Sequence, residues 1–385
     1  MPPRPGRARI RALHRPTRSS ALGAATAILL ALCALLSGCS ATRDASTPAG
    51  EAAILPEHYA HSIAALGWPG ARRAFQIGPG SVAATGESAL EWRLLSASRG
   101  VTNSPVHFER DAVPVAHWSM SDDRQRWEFE AAAVPRRALG DTSLLLSVRA
   151  TAEWRGAAPG EAALEVRLRA VPDGPHCVPW DAPDDSVFAE WWQGREALRN
   201  GRIVAVVDRA ATLPGDAPTP SRPATTTGYG AGALVARCAA RLRPGERRHW
   251  DFLLPLYPVA RGRAGALEGL APAPPGALAG LAHERAVAES RRYWRHWLAQ
   301  AAAFETPDTL VNLAWRAALV TLVACQERDQ GHWVPIGNPF QYRDVWLRDG
   351  ARVVRALAVA GLADLARDDA RTLARFQLPT GALIS

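Results

Sequence analysis

The feature that most restricts this chain is a change of hydrophobic period. In its first half apolar and polar side chains alternate strictly. Leu90, Trp92 and Leu94 are separated by Glu91 and Arg93, and Trp127 and Phe129 alternate with Glu128 and Glu130. Leu146, Val148 and Ala150 keep the same spacing, as do Leu164, Val166 and Leu168 between Glu165, Arg167 and Arg169. A period of two sends one face of a strand into a core and the other into water. Repeated with Gly and Pro turns between, it predicts a β-sandwich over 55–260. A Pro-rich stretch at 212–226 is expected to be a long loop, and the last strand pair turns at Arg243-Pro244-Gly245-Glu246.

After residue 260 the period becomes helical. Residues 261–303 are expected to be a linker and a linker helix, the helix over about 283–302 with Tyr293, Trp294 and Trp297. Thr306 as N-cap, Pro307 at the first helical position and Asp308 in the first turn predict the next helix. Its apolar set is Leu310, Leu313, Ala314, Ala317, Thr321 and Ala324. A polar-aromatic loop is expected over 327–348. A third helix follows with Val353, Val354, Leu357, Ala358 and Gly361, and a fourth over 363–377.

The N-terminus carries a different signal. Six Arg and no acid precede residues 21–36, which form an unbroken apolar run, and Leu36-Ser37-Gly38-Cys39 follows. A basic segment, a short apolar segment and small residues before a cut are the parts of an export signal. The four residues ending in Cys39 resemble the lipobox of bacterial lipoproteins, whose cysteine receives a diacylglycerol anchor. Residues 1–38 are thus expected to be a lipoprotein signal peptide and 39–54 a tether. The product would be exported and lipid-anchored to the cell membrane or outer membrane through Cys39.

Removing the signal changes the charge argument. The chain has 45 Lys+Arg against 37 Asp+Glu, a net charge of +8, but the six Arg of the signal account for most of that excess. The part after the signal has 39 basic against 37 acidic residues, or +2, so nucleic acid is not an expected partner. Cys177 and Cys238 are candidates for a pair in an oxidising compartment, and Cys325 lies in a helical pattern as a buried thiol. His58 and His61 are the only close pair of histidines and lack a third ligand, so no metal site is expected.

The chemistry concentrates in Tyr342-Arg343-Asp344-Val345-Trp346-Leu347-Arg348-Asp349-Gly350. Four charged groups and two aromatics in nine residues, at a helix entrance, suit a polyol. A carboxylate accepts from adjacent hydroxyls, a guanidinium donates a fork, and an aromatic face offers apolar area. Asp349 could equally cap a helix beginning near Gly350. Glu327, Asp329 and His332 are secondary candidates. Trp333 is expected to line a subsite, whereas Trp92, Trp127, Trp294, Trp297 and Trp315 fall at core spacings.

A sandwich, a linker helix, then helical hairpins with Trp346-Leu347-Arg348-Asp349 resembles the bacterial six-hairpin glycosidases of the glucoamylase-like type. The resemblance implies a β-sandwich followed by all-α helical hairpins over 304–385, the start of an (α/α)6 barrel that is truncated. It implies a hydrolase acting on terminal glycosidic bonds of oligosaccharides, on α-glucosides with inversion, without a cofactor. It puts Arg348 and Asp349 on the non-reducing-end sugar, with Trp346, Tyr342 and Trp333 around it. The catalytic acid and base are then expected beyond Ser385. Two other readings stay open at this point: a non-catalytic surface glycan-binding lipoprotein and a disaccharide phosphorylase.

Overall fold

The computed structural model describes residues 64–382 apart from internal segments, the longest being 171–186, 214–223, 226–233, 261–277 and 338–344. The signal, Cys39, Cys177 and Tyr342 lie outside the described residues. Among the described residues the chain is mostly antiparallel sheet, followed by four helices. None of those helices is long and apolar enough to cross a membrane.

One sheet has six strands: β1 (Ala64–Leu66), β2 (Phe75–Gly78), β3 (Val82–Ala84), β4 (Ser88–Leu94), β10 (Gly160–Ala170) and β16 (Leu234–Leu242), in that spatial order. The larger sheet is built on β7 (Val115–Ser121), β8 (Gln125–Leu139), β9 (Asp141–Trp154) and β17 (Arg247–Pro255). Short strands β5 (Thr102–Asn103) and β6 (His107–Phe108) pair with β7. Beyond β17 lie β14 (Arg202–Val207), β13 (Glu196–Arg199) and β12 (Glu190–Gln193), and β18 (Val259–Ala260) pairs with β14. A separate short pair is β11 (Val187–Phe188) with β15 (Ala224–Thr225).

The alternation fixes which side each residue takes. Trp127, Phe129, Ala131 and Ala133 of β8 point into a core shared with Leu90 and Trp92 of β4 and Leu164 and Val166 of β10. Trp92 is fully buried, with ring centroids 5.5 Å from Phe129 and 5.8 Å from Phe252. Such aromatic pairs contribute beyond their buried area. Cys238 is a buried free thiol in this core, its pKa pushed up by burial.

The outward face of β7, β8 and β9 is not left to water, because α1 (His283–Gln300) packs on it. Val113, Val115 and Ala132 from this face join Val287 and Trp294 of α1 in a second core. Around that core runs a polar seam. His283, 1% exposed, makes 3.0 Å contacts through Nδ1 with the Ser147 hydroxyl and through Nε2 with Glu130. Arg149 forks onto Asp251 with two bonds of 2.7 Å and also reaches Glu284. These bonds tie α1 to the sheet at defined register.

The remaining helices are α2 (Thr309–Ala324), α3 (Leu347–Val359) and α4 (Ala363–Ala374). Val320 and Val323 of α2, Leu357 of α3, and Leu365 and Ala366 of α4 complete the second core. The start of α2 differs from the sequence expectation. Asp308, not Thr306, is its N-cap, accepting from the backbone N–H of Leu310 at 2.8 Å and of Val311 at 3.4 Å. A carboxylate here also faces the positive end of the helix dipole, which a Thr hydroxyl answers less well. Thr306 instead exchanges bonds with Asn312. Between α3 and α4 the chain turns at Gly361, whose φ of +82° and a close approach to the Ala302 backbone leave no room for a side chain.

Candidate functional site

The expected loop over 327–348 is partly a hairpin. β19 (Gln326–Asp329) pairs with β20 (His332–Pro335), turning through Gly331 at φ +84°. It is anchored on both sides. The backbone N–H of Gly70 donates to the Gln326 carbonyl at 2.6 Å, joining the hairpin to the six-stranded sheet's first loop. On the other side Asp368 of α4 accepts from the backbone N–H of Trp333 at 2.9 Å.

Trp333 is half-buried on this hairpin, with the Arg328 guanidinium 3.7 Å from its ring centroid. That stacking covers one face of the indole. His332 links Asp368 to Arg375: its Nδ1 is 3.5 Å from Asp368, and the Arg375 guanidinium donates to Nε2 at 2.8 Å. Since a guanidinium cannot accept, Nε2 is the acceptor and Nδ1 carries the proton toward Asp368. The Trp333 N–H, the first cause, together with His332 and Arg328, holds the Asp368 carboxyl below the usual range.

The Trp-x-Arg-Asp-Gly segment forms the first turn of α3. Trp346 is the N-cap position, without a side-chain cap, and is 40% exposed. Arg348 is exposed and Asp349 half-buried. Their side chains approach to 3.5 Å, and Arg352 one turn on stands 3.7 Å from the same Asp349 oxygen. Asp349 therefore does not cap a helix at Gly350; the helix has begun three residues earlier. Gly350 has its own reason. A Cβ there would sit 3.0 Å from Leu373 Cδ2 of α4 and 3.5 Å from Pro335 Cγ of β20. The glycine lets α3 press against both α4 and the hairpin, which brings the helix entrance beside the strand carrying Trp333. Of the expected contacts, the structure brings Arg348 and Asp349 together, with Trp346 on the same turn. Tyr342, Arg343 and Asp344 lie outside the described residues.

Sequence reasoning missed Arg328, Asp368 and the hairpin. The signal was present: Asp329-Gln330-Gly331 is a turn between two stretches of strand-forming residues.

A second cluster has ligand-type side chains. Glu109, His117 and Glu130 each offer an atom within 4.8 Å of the others. The position a cation would take is served by Arg291, whose guanidinium donates to Glu109 at 2.7 Å and to Glu130 at 3.2 Å. Burial lowers the His117 pKa, so its ring is neutral at neutral pH. The cluster is an ion-pair network fastening α1 to the sheet, with its positive charge built in. Ser147, His283 and Glu130 have the bonding order of a nucleophile relay, but Ser147 and His283 are each only 1% exposed, and no substrate can reach the hydroxyl.

No protein-family model and no curated protein matches the chain. Among solved structures it is similar to a bacterial glucoamylase complexed with acarbose, at 12% identity and a TM-score of 0.45, over 84% of this chain and 52% of that one. It is also similar to a family GH92 α-mannosidase from Bacteroides thetaiotaomicron, at 10% identity and a TM-score of 0.18, over 57% of this chain and 27% of that one. The same mannosidase with mannoimidazole gives 9% identity, a TM-score of 0.18, and 64% and 33% coverage. The chain spans about half the length of the glucoamylase. At these TM-scores the likenesses alone fix neither the fold nor an activity.

Proposed function

We propose that the entrance of α3 is a sugar-binding lip, and that the chain is the N-terminal portion of an exported glycoside hydrolase of the glucoamylase-like type. The observation that carries this is the first turn of α3, where an exposed Trp346, an exposed Arg348 and a half-buried Asp349 share one turn beside the Trp333 hairpin. A guanidinium and a carboxylate 3.5 Å apart can donate to and accept from neighbouring hydroxyls, with the indole as an apolar wall. In this reading Tyr342 closes the same lip. Helices α2 to α4 are the first hairpins of an (α/α)6 barrel, and Cys39 carries the lipid anchor. Exposure of Leu310 (73%) and Leu313 (38%) on α2 supports further helices packing there. The parent enzyme would act on α-glucosides with inversion, its acid and base contributed by later hairpins.

One observation favours a second reading, a non-catalytic glycan-binding lipoprotein. Carboxylates around the entrance have structural partners: Asp349 has Arg348 and Arg352, and Asp368 has Trp333 and His332. Asp369 is sealed from solvent. Incubating this chain and the gene's full product with maltooligosaccharides distinguishes the two. Glucose released by the full product as the β-anomer, and none by this chain, supports the hydrolase. Binding without release by either favours the binding protein, and absence of both binding and release contradicts the sugar-site reading.

A further inference from the structure

The loop that follows β1 meets the β19–β20 hairpin at Gly70. Its N–H donates to the Gln326 carbonyl at 2.6 Å, and the residue forms a one-residue parallel bridge with Glu327. Strand β19 therefore has backbone on both edges, β20 on one side and Gly70 on the other. The loop is itself braced from behind. The Ala71 N–H turns back to the Trp68 carbonyl at 2.9 Å, and the Trp68 ring stacks on Tyr293 of α1 with centroids 3.8 Å apart. Helix α1 is in turn tied to the sheet by the polar seam around His283 and Arg149.

Gly70 has a φ of +85°, a conformation that suits glycine. The direction in which a side chain would leave it matters more. A Cβ there would lie 3.2 Å from Arg328 Cγ and 3.8 Å from Trp333 Cζ3. The space of the missing methyl is thus given to the Arg328 stem. With the stem in that place, the guanidinium lies 3.7 Å from the Trp333 ring centroid and donates to the Gly331 carbonyl across the hairpin turn. The attraction between cation and indole needs the guanidinium over the ring, within about 6 Å of its centre. A methyl on Gly70 would push the stem aside, because the loop is held by its own bond and by the Trp68 stack and has little freedom to retreat.

We propose that Gly70 is a positioning residue for Trp333: the sandwich loop, braced by α1, leaves room for Arg328 to lie over the indole, and so fixes the side from which a sugar meets the ring. The sandwich then takes part in recognition through one backbone position. What concerns a ligand here rests on the sugar-lip reading; what concerns the setting of Trp333 does not.

Fluorine NMR of the whole chain labelled with fluorotryptophan, beside calorimetric titration with maltoheptaose, tests the two separately. Trp333→Phe and Trp92→Phe identify the two resonances needed. Gly70→Ala is expected to displace the Trp333 resonance, to leave that of Trp92 in the sandwich core in place, and to weaken maltoheptaose at least about fivefold. Arg328→Ala strains no backbone and is expected to have the same effects. In the Arg328→Ala background, adding Gly70→Ala is expected to change neither reading further, because the Cγ that the methyl would meet is gone. A Trp333 resonance unmoved in Arg328→Ala, or in a folded Gly70→Ala, overturns the proposal, and so do effects of the two substitutions that simply add. Equal affinity of wild type and Gly70→Ala overturns it while leaving the sugar reading intact. If wild type does not bind, the sugar reading fails, and the resonance shifts alone decide whether Gly70 sets Trp333.

Discussion

Replacing Trp294 with Ala is expected to lower the stability of the chain by about 3–5 kcal/mol. Trp294 is 1% exposed and stands in the core where the sheet meets the helices. Its ring lies edge-on to Trp68, at 6.1 Å between centroids, and to Tyr293, at 5.7 Å. Truncation removes a large apolar surface and leaves a hole lined by the sheet's Val113, Val115 and Ala132, α1's Val287, and residues of α2, α3 and α4. No single element can close it without moving another, because each is fixed by its own bonds. Urea unfolding followed by circular dichroism measures the loss. A loss below about 1 kcal/mol would mean that the helices do not depend on this core.

The second large effect is expected at His283. Its imidazole is sealed between the Ser147 hydroxyl and the Glu130 carboxylate, at 3.0 Å from each. That bond, ahead of the competing effect of burial, holds the Glu130 carboxyl below its ordinary range. His283→Ala leaves Ser147 and Glu130 without this partner and opens a cavity, and is expected to cost about 2–4 kcal/mol. Glu130 keeps Arg291, which limits the loss. His283→Gln can restore one of the two bonds, so its midpoint in urea is expected to lie between those of wild type and Ala. Equal midpoints for Gln and Ala would show that volume, and not the polar seam, accounts for the loss.

Much of the sandwich was legible because a period of two is a direct record of burial. Trp92, Trp127 and Phe129 alternate with Glu91, Glu128 and Glu130, and the structure buries the first set in the inter-sheet core. Alternation does not say what covers the opposite face. Ala132 and Val115, out of phase with the inward set, were the trace that a helix would lie there. The helices were legible in their positions, but the buried face of α2 was not: Ala318, Leu319, Val320 and Val323 are buried, while Leu310, Leu313 and Thr321 of the expected apolar set are exposed. Thr306 and Asp308 are both good caps, and the choice rests on a local exchange with Asn312 that no pattern displays.

At the candidate site, composition revealed Trp346, Arg348 and Asp349, since charged and aromatic groups crowd into an otherwise apolar stretch. It did not reveal what holds Trp333. Asp368 lies 35 residues away from it in the chain, and a carboxylate on a helix reads as an ordinary solvated charge until the fold brings a backbone N–H to it. Asp369 was hidden for the same reason. In ADLARDDARTLA the pair of acids looks like one polar face, yet Asp368 is half-buried against the hairpin and Asp369 is fully buried.

The central claim, that the first turn of α3 grips a sugar, is tested most directly by titration calorimetry of the whole chain with maltoheptaose. Wild type and Asp349→Asn are compared, because Asn keeps the size and loses the charge that accepts from hydroxyls. Wild type is expected to bind, and the variant to bind at least about tenfold more weakly, equivalent to about 1.4 kcal/mol, with an unchanged Tm. Equal affinity for both proteins, or no heat from wild type across a series of gluco- and manno-oligosaccharides, would contradict the account.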